Sequence, residues 1–292
     1  MSTKSGPSES GASESGRLGI IAGAGAFPGM VLRGAKRAGC EVTVIGLRGL
    51  ADRSLLRAAD RFYWSGIVRL GGWIRRLKRS GVDRVILAGS VCKTDMYGRF
   101  RLLRLLPDLT SIRLWFFQIE DKRNDTVLSA VADEFARHGI IMQDCIEYSA
   151  DDMAPVGVLT QRQPTGGQRK DLEFGWSIVK EMGRLDIGQS IAVKETEVIA
   201  VEAIEGTDRM IERAGDLCRA GGWSLIKVAK PDQDMRFDVP TVGPETIARL
   251  KTNRAGMLVV EAGKTLIVER EAMLREADRA GIVVVGRRDE SV

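Results

Sequence analysis

Apolar runs alternate with amphipathic stretches along most of the chain, and their spacing switches between the two periods expected of strands and helices. Residues 17–23 read as a buried strand that closes on a glycine turn. Helical spacing over 28–39 then turns Met30, Val31 and Ala35 inward and stops at Gly39. A β-branched strand over 41–46, a helix over 71–81 and a strand over 83–89 follow. An amphipathic helix over 124–137, capped by Asn124 or Asp125, leads to a strand over 140–146. Strands that are apolar throughout and alternate with helices predict a parallel sheet covered on both faces. Residues 97–118, rich in Arg and Leu, fit no strand and suggest helices over a cleft.

The pattern fades near residue 150 into a polar stretch containing Gly and Pro, and residues 151–170 are read as a linker or functional loop. This divides the chain into a tail (1–16), an N-terminal domain (17–150) and a C-terminal mixed α/β domain (171–292). The second half reads as a helix over 171–184, a hairpin over 190–202, a helix over 208–220 and a strand over 224–227. A helix from Pro244 to 252 begins with proline in its first turn. Residues 256–263 and 265–268 suggest a second hairpin, before a helix over 270–279 and a strand over 282–285.

Composition narrows the function. Of 292 residues, 44% are hydrophobic and 28% charged, the balance of a soluble globular protein. The net charge of +5 is scattered and aromatics are only 5%, so nucleic acid is not an expected partner. Cys40, Cys92, Cys145 and Cys218 lie far apart without a Cys-x-x-Cys pair, which predicts reduced thiols in a cytoplasm rather than zinc or a disulfide framework. His138 is the single histidine and closes a predicted helix, which leaves little room for serine–histidine or multi-histidine chemistry. Residues 1–16 have no apolar core, so they predict a disordered tail and not a secretion signal. No apolar run approaches the roughly 18 residues of a membrane span.

The segment from Lys227 to Pro240 carries the densest chemistry: two lysines, one arginine, three aspartates, a glutamine and two prolines. Cations suit phosphate oxygens, and carboxylates suit a divalent metal or an attacking water. If the segment is extended, Asp232, Asp234, Arg236 and Asp238 share one face, with Lys227, Lys230 or Mg²⁺ to offset the repulsion. A solvated loop with local ion pairs is the alternative. Gly23, Ala24 and Gly25 sit where the first strand meets the first helix, where backbone N–H groups can approach a phosphate. Tight strand–helix packing explains the same residues, and Pro28 stands where a dinucleotide fingerprint has its third glycine. Ser90 and Lys93 follow another strand at the edge where α/β proteins bind ligands, unless they form a plain turn. Thr207 or Asp208 is a ready N-cap, and the same helix end, after Gly206, could hold a diphosphate and an acid facing its metal.

Four ordered motifs stand in the second half: Gly183-Arg-Leu-Asp-Ile-Gly-Gln189, Val201-Glu-Ala-Ile-Glu-Gly-Thr-Asp208, Lys230-Pro-x-Gln-Asp-x-Arg-x-Asp-x-Pro-Thr-Val-Gly243 and Ala255-Gly-Met-Leu-Val-Val-Glu-Ala-Gly263. In this order they closely resemble the LpxI-type UDP-2,3-diacylglucosamine diphosphatases. Ile21-Ala-Gly-x-Gly-x-x-Pro28 matches as well, so the resemblance spans residues 17–287. It implies a Rossmann-like N-terminal domain and a distinct α/β domain closing over the substrate. It also implies hydrolysis of UDP-2,3-diacylglucosamine to UMP and 2,3-diacylglucosamine 1-phosphate, an early lipid A step, with Mg²⁺ or another hard divalent ion such as Mn²⁺. The essential acid falls on Asp238, and the Thr-Asp pair near the diphosphate on Thr207 and Asp208. The expected substrate-binding set is Gly23, Ala24, Gly25, Ser90, Lys93, Thr207, Asp208, Lys230, Gln233 and Arg236, and the metal set is Asp238, Asp234 and Asp208. Expected surroundings are the cytoplasm and transient contact with the inner membrane surface, with a homodimer left open. The rival readings are a nucleotide-dependent oxidoreductase, suggested by the glycine turn, and a non-catalytic sugar-nucleotide binder.

Overall fold

The computed structural model describes residues 16–91, 107–117, 124–231, 234, 236 and 239–289. Lys93, Asp232, Gln233 and Asp238 lie outside the described residues, as do residues 1–15. The chain divides into two compact units, Met1–Gln143 and Asp144–Val292.

The first unit is built on β1 (Arg17–Ala22), β2 (Glu41–Leu47), β3 (Arg61–Ser65), β4 (Arg84–Ala88) and β5 (Ile141–Met142), all parallel in the order β3-β2-β1-β4-β5. Leu18, Ile20, Val42, Val44, Val85 and Ile86 are wholly buried, as expected of strands covered on both faces. Helix α1 (Phe27–Arg37) buries Met30, Val31 and Ala35, the positions its spacing selected. Also present are α2 (Leu55–Ala58), α3 (Leu70–Arg79), α4 (Leu109–Phe117) and α5 (Asn124–Arg137). The strand expected over 140–146 is shorter: β5 has two residues, and the chain then turns, with Glu147 N donating to Asp144 O and Ser149 N to Ile146 O. Strand β3 was not anticipated, although its aromatic run fits a half-buried strand.

The second unit holds a six-stranded sheet in the order β6-β13-β11-β9-β7-β8. Its strands are β6 (Gly157–Val158), β7 (Ser190–Lys194), β8 (Glu197–Val201), β9 (Ser224–Lys227), β11 (Met257–Glu261) and β13 (Val283–Arg287). Strands β9, β11 and β13 are parallel, and the β7–β8 hairpin is as expected. Side chains alternate along the central strands. Met257, Val259, Ile226 and Ile191 face α6 (Gly166–Arg184), whereas Leu258, Val260, Leu225 and Ala192 face the layer of α7 (Thr207–Leu217), α8 (Pro244–Thr252) and α9 (Arg270–Ala280).

Two expectations for this unit change. The segment 151–170 is not a plain linker: β6 pairs antiparallel with β13, and α6 starts at Gly166 on a Thr165 capping box with Gln168. Residues 256–268 do not form a hairpin. Strand β11 lies in the large sheet, whereas β12 (Leu266–Ile267) pairs in parallel with β10 (Thr241–Val242) in a separate ribbon.

Candidate functional site

In the first unit, strands β1 and β4 are neighbours whose following helices lead to opposite sides of the strand order, the place where open α/β sheets bind ligands. The loop after β1 and the residues after β4 are tied together there. Gly23 N donates to Ala88 O (2.8 Å), Ala24 N to Ser90 O (2.9 Å) and Ser90 N to Ala24 O (3.0 Å). Two of the expected backbone donors, at Gly23 and Ala24, therefore already have backbone acceptors. A Cβ on Gly23 would sit 2.7 Å from Ser90 O, so this glycine permits close strand packing. Gly25 differs: it is exposed at φ +92° with open space where a Cβ would stand. The donors left at this edge are the N–H groups of Gly25, Ala26 and Phe27 at the start of α1, Pro28 having none. Of the expected residues 23–25, Gly25 is the one whose N–H has no backbone acceptor among the described residues.

In the second unit, the carboxyl ends of β8 and β9 meet the amino end of β7 along one sheet edge. Gly206, at φ +81°, turns the chain into α7 so that Thr207 is its first residue. Thr207 Oγ1 lies 3.0 Å from Glu202 Oε2, 3.4 Å from Lys227 Nζ and 3.5 Å from Ser190 Oγ. Lys227 also reaches Thr241 O at 3.4 Å. Lys227 and Glu202 are 9% and 7% exposed, so the charges are screened little by water. With Glu202 a carboxylate, Thr207 gives its one proton to it and accepts from the ammonium. Its hydroxyl is then a positioned acceptor with no further hydrogen to offer.

On the opposite face of the same sheet, β11 ends in Glu261, 2% exposed. Its Oε1 meets Lys180 and Lys264, each at 2.9 Å, and its Oε2 accepts from Ala229 N at 3.0 Å. The carboxylate thereby fixes the chain as it leaves β9 for the charged segment. Asp289 extends the cluster, accepting from Lys180 (2.8 Å) and Trp176 Nε1 (2.7 Å). Sequence reasoning missed Glu202 and Glu261. An acid closing an apolar run such as Met257–Glu261 is a signal for such a buried anchor.

Of the expected face, Asp232 and Asp238 lie outside the described residues. Asp234 accepts from Arg236 N (3.0 Å) and takes the same guanidinium at 2.6–3.1 Å, a local turn between these two residues. This guanidinium holds the Asp234 carboxyl below its usual range against a smaller opposing effect of burial. Lys230 lies 2.5 Å from Asp186, whose φ of 55° presents it from the turn after α6. Asp208 meets Arg249 at 3.2 Å and is exposed. Among the described residues, Thr207, Lys227, Glu202 and Ser190 come together, while Asp208 meets Arg249, Lys230 meets Asp186 and Asp234 meets Arg236.

Magnesium is held by one or two carboxylates with water filling an octahedral shell. Among the described residues no three His, Cys, Asp or Glu side chains converge to hold a metal, and Asp208 and Asp234 each face an arginine. The described part of the expected metal set does not fit the ion by itself.

Residues 17–151 match the family model of the LpxI N-terminal domain, and residues 155–285 that of the LpxI C-terminal domain. Over 283 residues the chain is 36% identical to the UDP-2,3-diacylglucosamine pyrophosphatase LpxI of Caulobacter vibrioides, an overlap of 92% of this chain and 97% of that protein. No helix among the described residues is long and apolar enough to cross a membrane. With both units matched in order and almost the full length paired, the chain belongs to the LpxI family.

Proposed function

We propose that this protein hydrolyses the diphosphate of UDP-2,3-diacylglucosamine, releasing UMP and 2,3-diacylglucosamine 1-phosphate for lipid A synthesis. The observation that carries the reading is the 36% identity with a UDP-2,3-diacylglucosamine pyrophosphatase across 92% of the chain. The geometry of the second unit supports it: a buried ammonium, a fixed hydroxyl and a helix N-terminus lie on one edge of the sheet. Water adds to one phosphorus, the bridging P–O bond breaks, and the leaving phosphate departs with the electron pair. The water's protons pass to the products and the medium. The phosphates bear negative charge that repels the nucleophile, so cations fixed before the reaction lower the barrier. Lys227 serves there, Thr207 sets its position, and Asp238 is the proposed acid that orients water. The sugar-side phosphorus is the proposed point of attack.

The test is product analysis with purified protein in ¹⁸O-labelled water. Attack at the sugar-side phosphorus puts the label in 2,3-diacylglucosamine 1-phosphate and leaves UMP unlabelled. Asp238→Ala is expected to lower turnover about 10³-fold or more. Undiminished UMP release by that variant would remove Asp238 from the chemistry.

Divalent-metal dependence is a separate proposal. The hard oxygens of Asp208, Asp234 and Asp238 suit Mg²⁺ or Mn²⁺, and the described pair offers no complete set. Chelation with EDTA is expected to stop turnover and Mg²⁺ to restore it. Full activity in EDTA would assign charge neutralisation to the lysines and arginines alone.

A further inference from the structure

A basic and apolar face on the first unit takes no part in either sheet edge described above. Helix α3 carries Arg75, Lys78 and Arg79 at i, i+3 and i+4, so all three side chains rise from one face, and all are exposed. Together with Gly71, Ile74, Thr110 and His138 they line a cavity of about 290 Å³. None of the three cations meets a carboxylate among the described residues. Two nearby acids among the described residues are occupied: Asp108 accepts from Gly72 N (2.8 Å) and from Ser111, and Glu134 pairs with Arg137 and lies 3.4 Å from His138 Nε2. Arg76, one position along, is instead held by Trp64 O at 3.2 Å and lies over the Tyr63 ring.

The adjoining helix α4 buries Ser111 and Leu114 and leaves Leu109 85% and Ile112 37% exposed. Neither α3 nor α4 contains an acidic residue. Exposed aliphatic side chains flanking Thr110 on the adjoining helix, with cations that meet no carboxylate among the described residues, suit the boundary of an anionic bilayer, where apolar groups enter the acyl region and cations stay at the headgroups. Nucleic acid would reward the cations and leave the aliphatic pair in water.

We propose that the α3–α4 face docks on an anionic lipid surface, with Arg75, Lys78 and Arg79 at the phosphates and Leu109 and Ile112 below them. This assigns a face to the membrane contact that the family resemblance leads one to expect, and docking is measured without turnover, so its failure is distinguishable from failure of the hydrolase reading. The experiment is co-sedimentation of the full chain with vesicles of phosphatidylglycerol and phosphatidylcholine, against phosphatidylcholine alone. Binding to the anionic vesicles is expected and should weaken as salt rises. The triple variant Arg75→Ala, Lys78→Ala, Arg79→Ala is expected to lose roughly 100-fold in partitioning, at about one factor of five per cation. Leu109→Asp, at a site too exposed to threaten folding, is expected to weaken binding without changing the melting temperature. Equal binding to neutral vesicles, unchanged binding by both variants, or retention on RNA but not on vesicles would each overturn the proposal.

Discussion

The ammonium of Lys227 is held inside the second unit at a position 9% exposed, 3.4 Å from both Thr207 Oγ1 and Thr241 O. A lysine there costs desolvation, yet removing it alone leaves the buried Glu202 carboxylate of the same cluster without its cation, which destabilises. Lys227→Met keeps the stem and removes the charge. The expected outcome is that turnover of UDP-2,3-diacylglucosamine falls by about 10² or more, with some loss in melting temperature because Glu202 is left without its cation. A variant that loses stability and keeps its turnover would make Lys227 a structural residue. The composition around Lys227 marked a charged region in the sequence, yet the partner of each charge was not legible there. Which cation meets Asp186, Asp234 or Thr207 depends on backbone turns, and Asp186 is 44 residues from Lys230.

Period and length located the elements well where each one buries a full face. The strand Ser224–Lys227 and the helix Pro244–Thr252 stand where the pattern put them, because apolar spacing there reports burial directly. Pairing was less legible. Strands β11 and β12 are near in sequence and belong to different sheets, since partners follow from crossovers that a local pattern does not contain. The β7–β8 hairpin offers a test at this scale. Its turn is Glu195-Thr196 with φ 55° and 59°, the left-handed pair of a type I′ turn without a residue suited to it. Left-handed backbone costs roughly 1–2 kcal/mol for residues with a Cβ. Thr196 N donates to Asp171 Oδ1 at 2.8 Å, a bond that any residue with an N–H retains. Replacing the pair by Asn-Gly is expected to stabilise the protein by about 1 kcal/mol in urea unfolding. A loss of stability would mean that the Thr196 side chain supports the turn more than its backbone strain weakens it.

At the scale of the whole molecule, one tie spans more than a third of the chain: Lys180 of α6 joins Glu261 at the end of β11 to Asp289 beyond β13. For Asp289, partial burial raises the carboxyl pKa, and hydrogen bonds from Lys180 and Trp176 with the nearby positive charge outweigh it. Its pKa therefore lies below 3.8. For Lys180, burial lowers the pKa, and hydrogen bonds with Asp289 and Glu261 outweigh it, so its pKa lies above 10.5. A depressed carboxylate stabilises the fold above its unfolded pKa and loses that contribution as pH falls through the folded value. A raised ammonium contributes fully below its unfolded pKa and loses its contribution as pH rises through the folded value. The charge contribution of the tie is thus expected to be level from about pH 4 to about pH 10 and to shrink on either side. Asp289→Asn isolates the charge, since the amide oxygen still accepts from Trp176. Because the Asp289 side chain is 52% exposed, solvent screening keeps the difference small, about 0.5 kcal/mol, and salt reduces it further. Urea unfolding of both proteins across that range should show a constant gap that closes below about pH 4. A gap that widens on acidification would mean that Asp289 is neutral in the native protein and that Trp176, not the charge of Lys180, holds the chain beyond β13 in place.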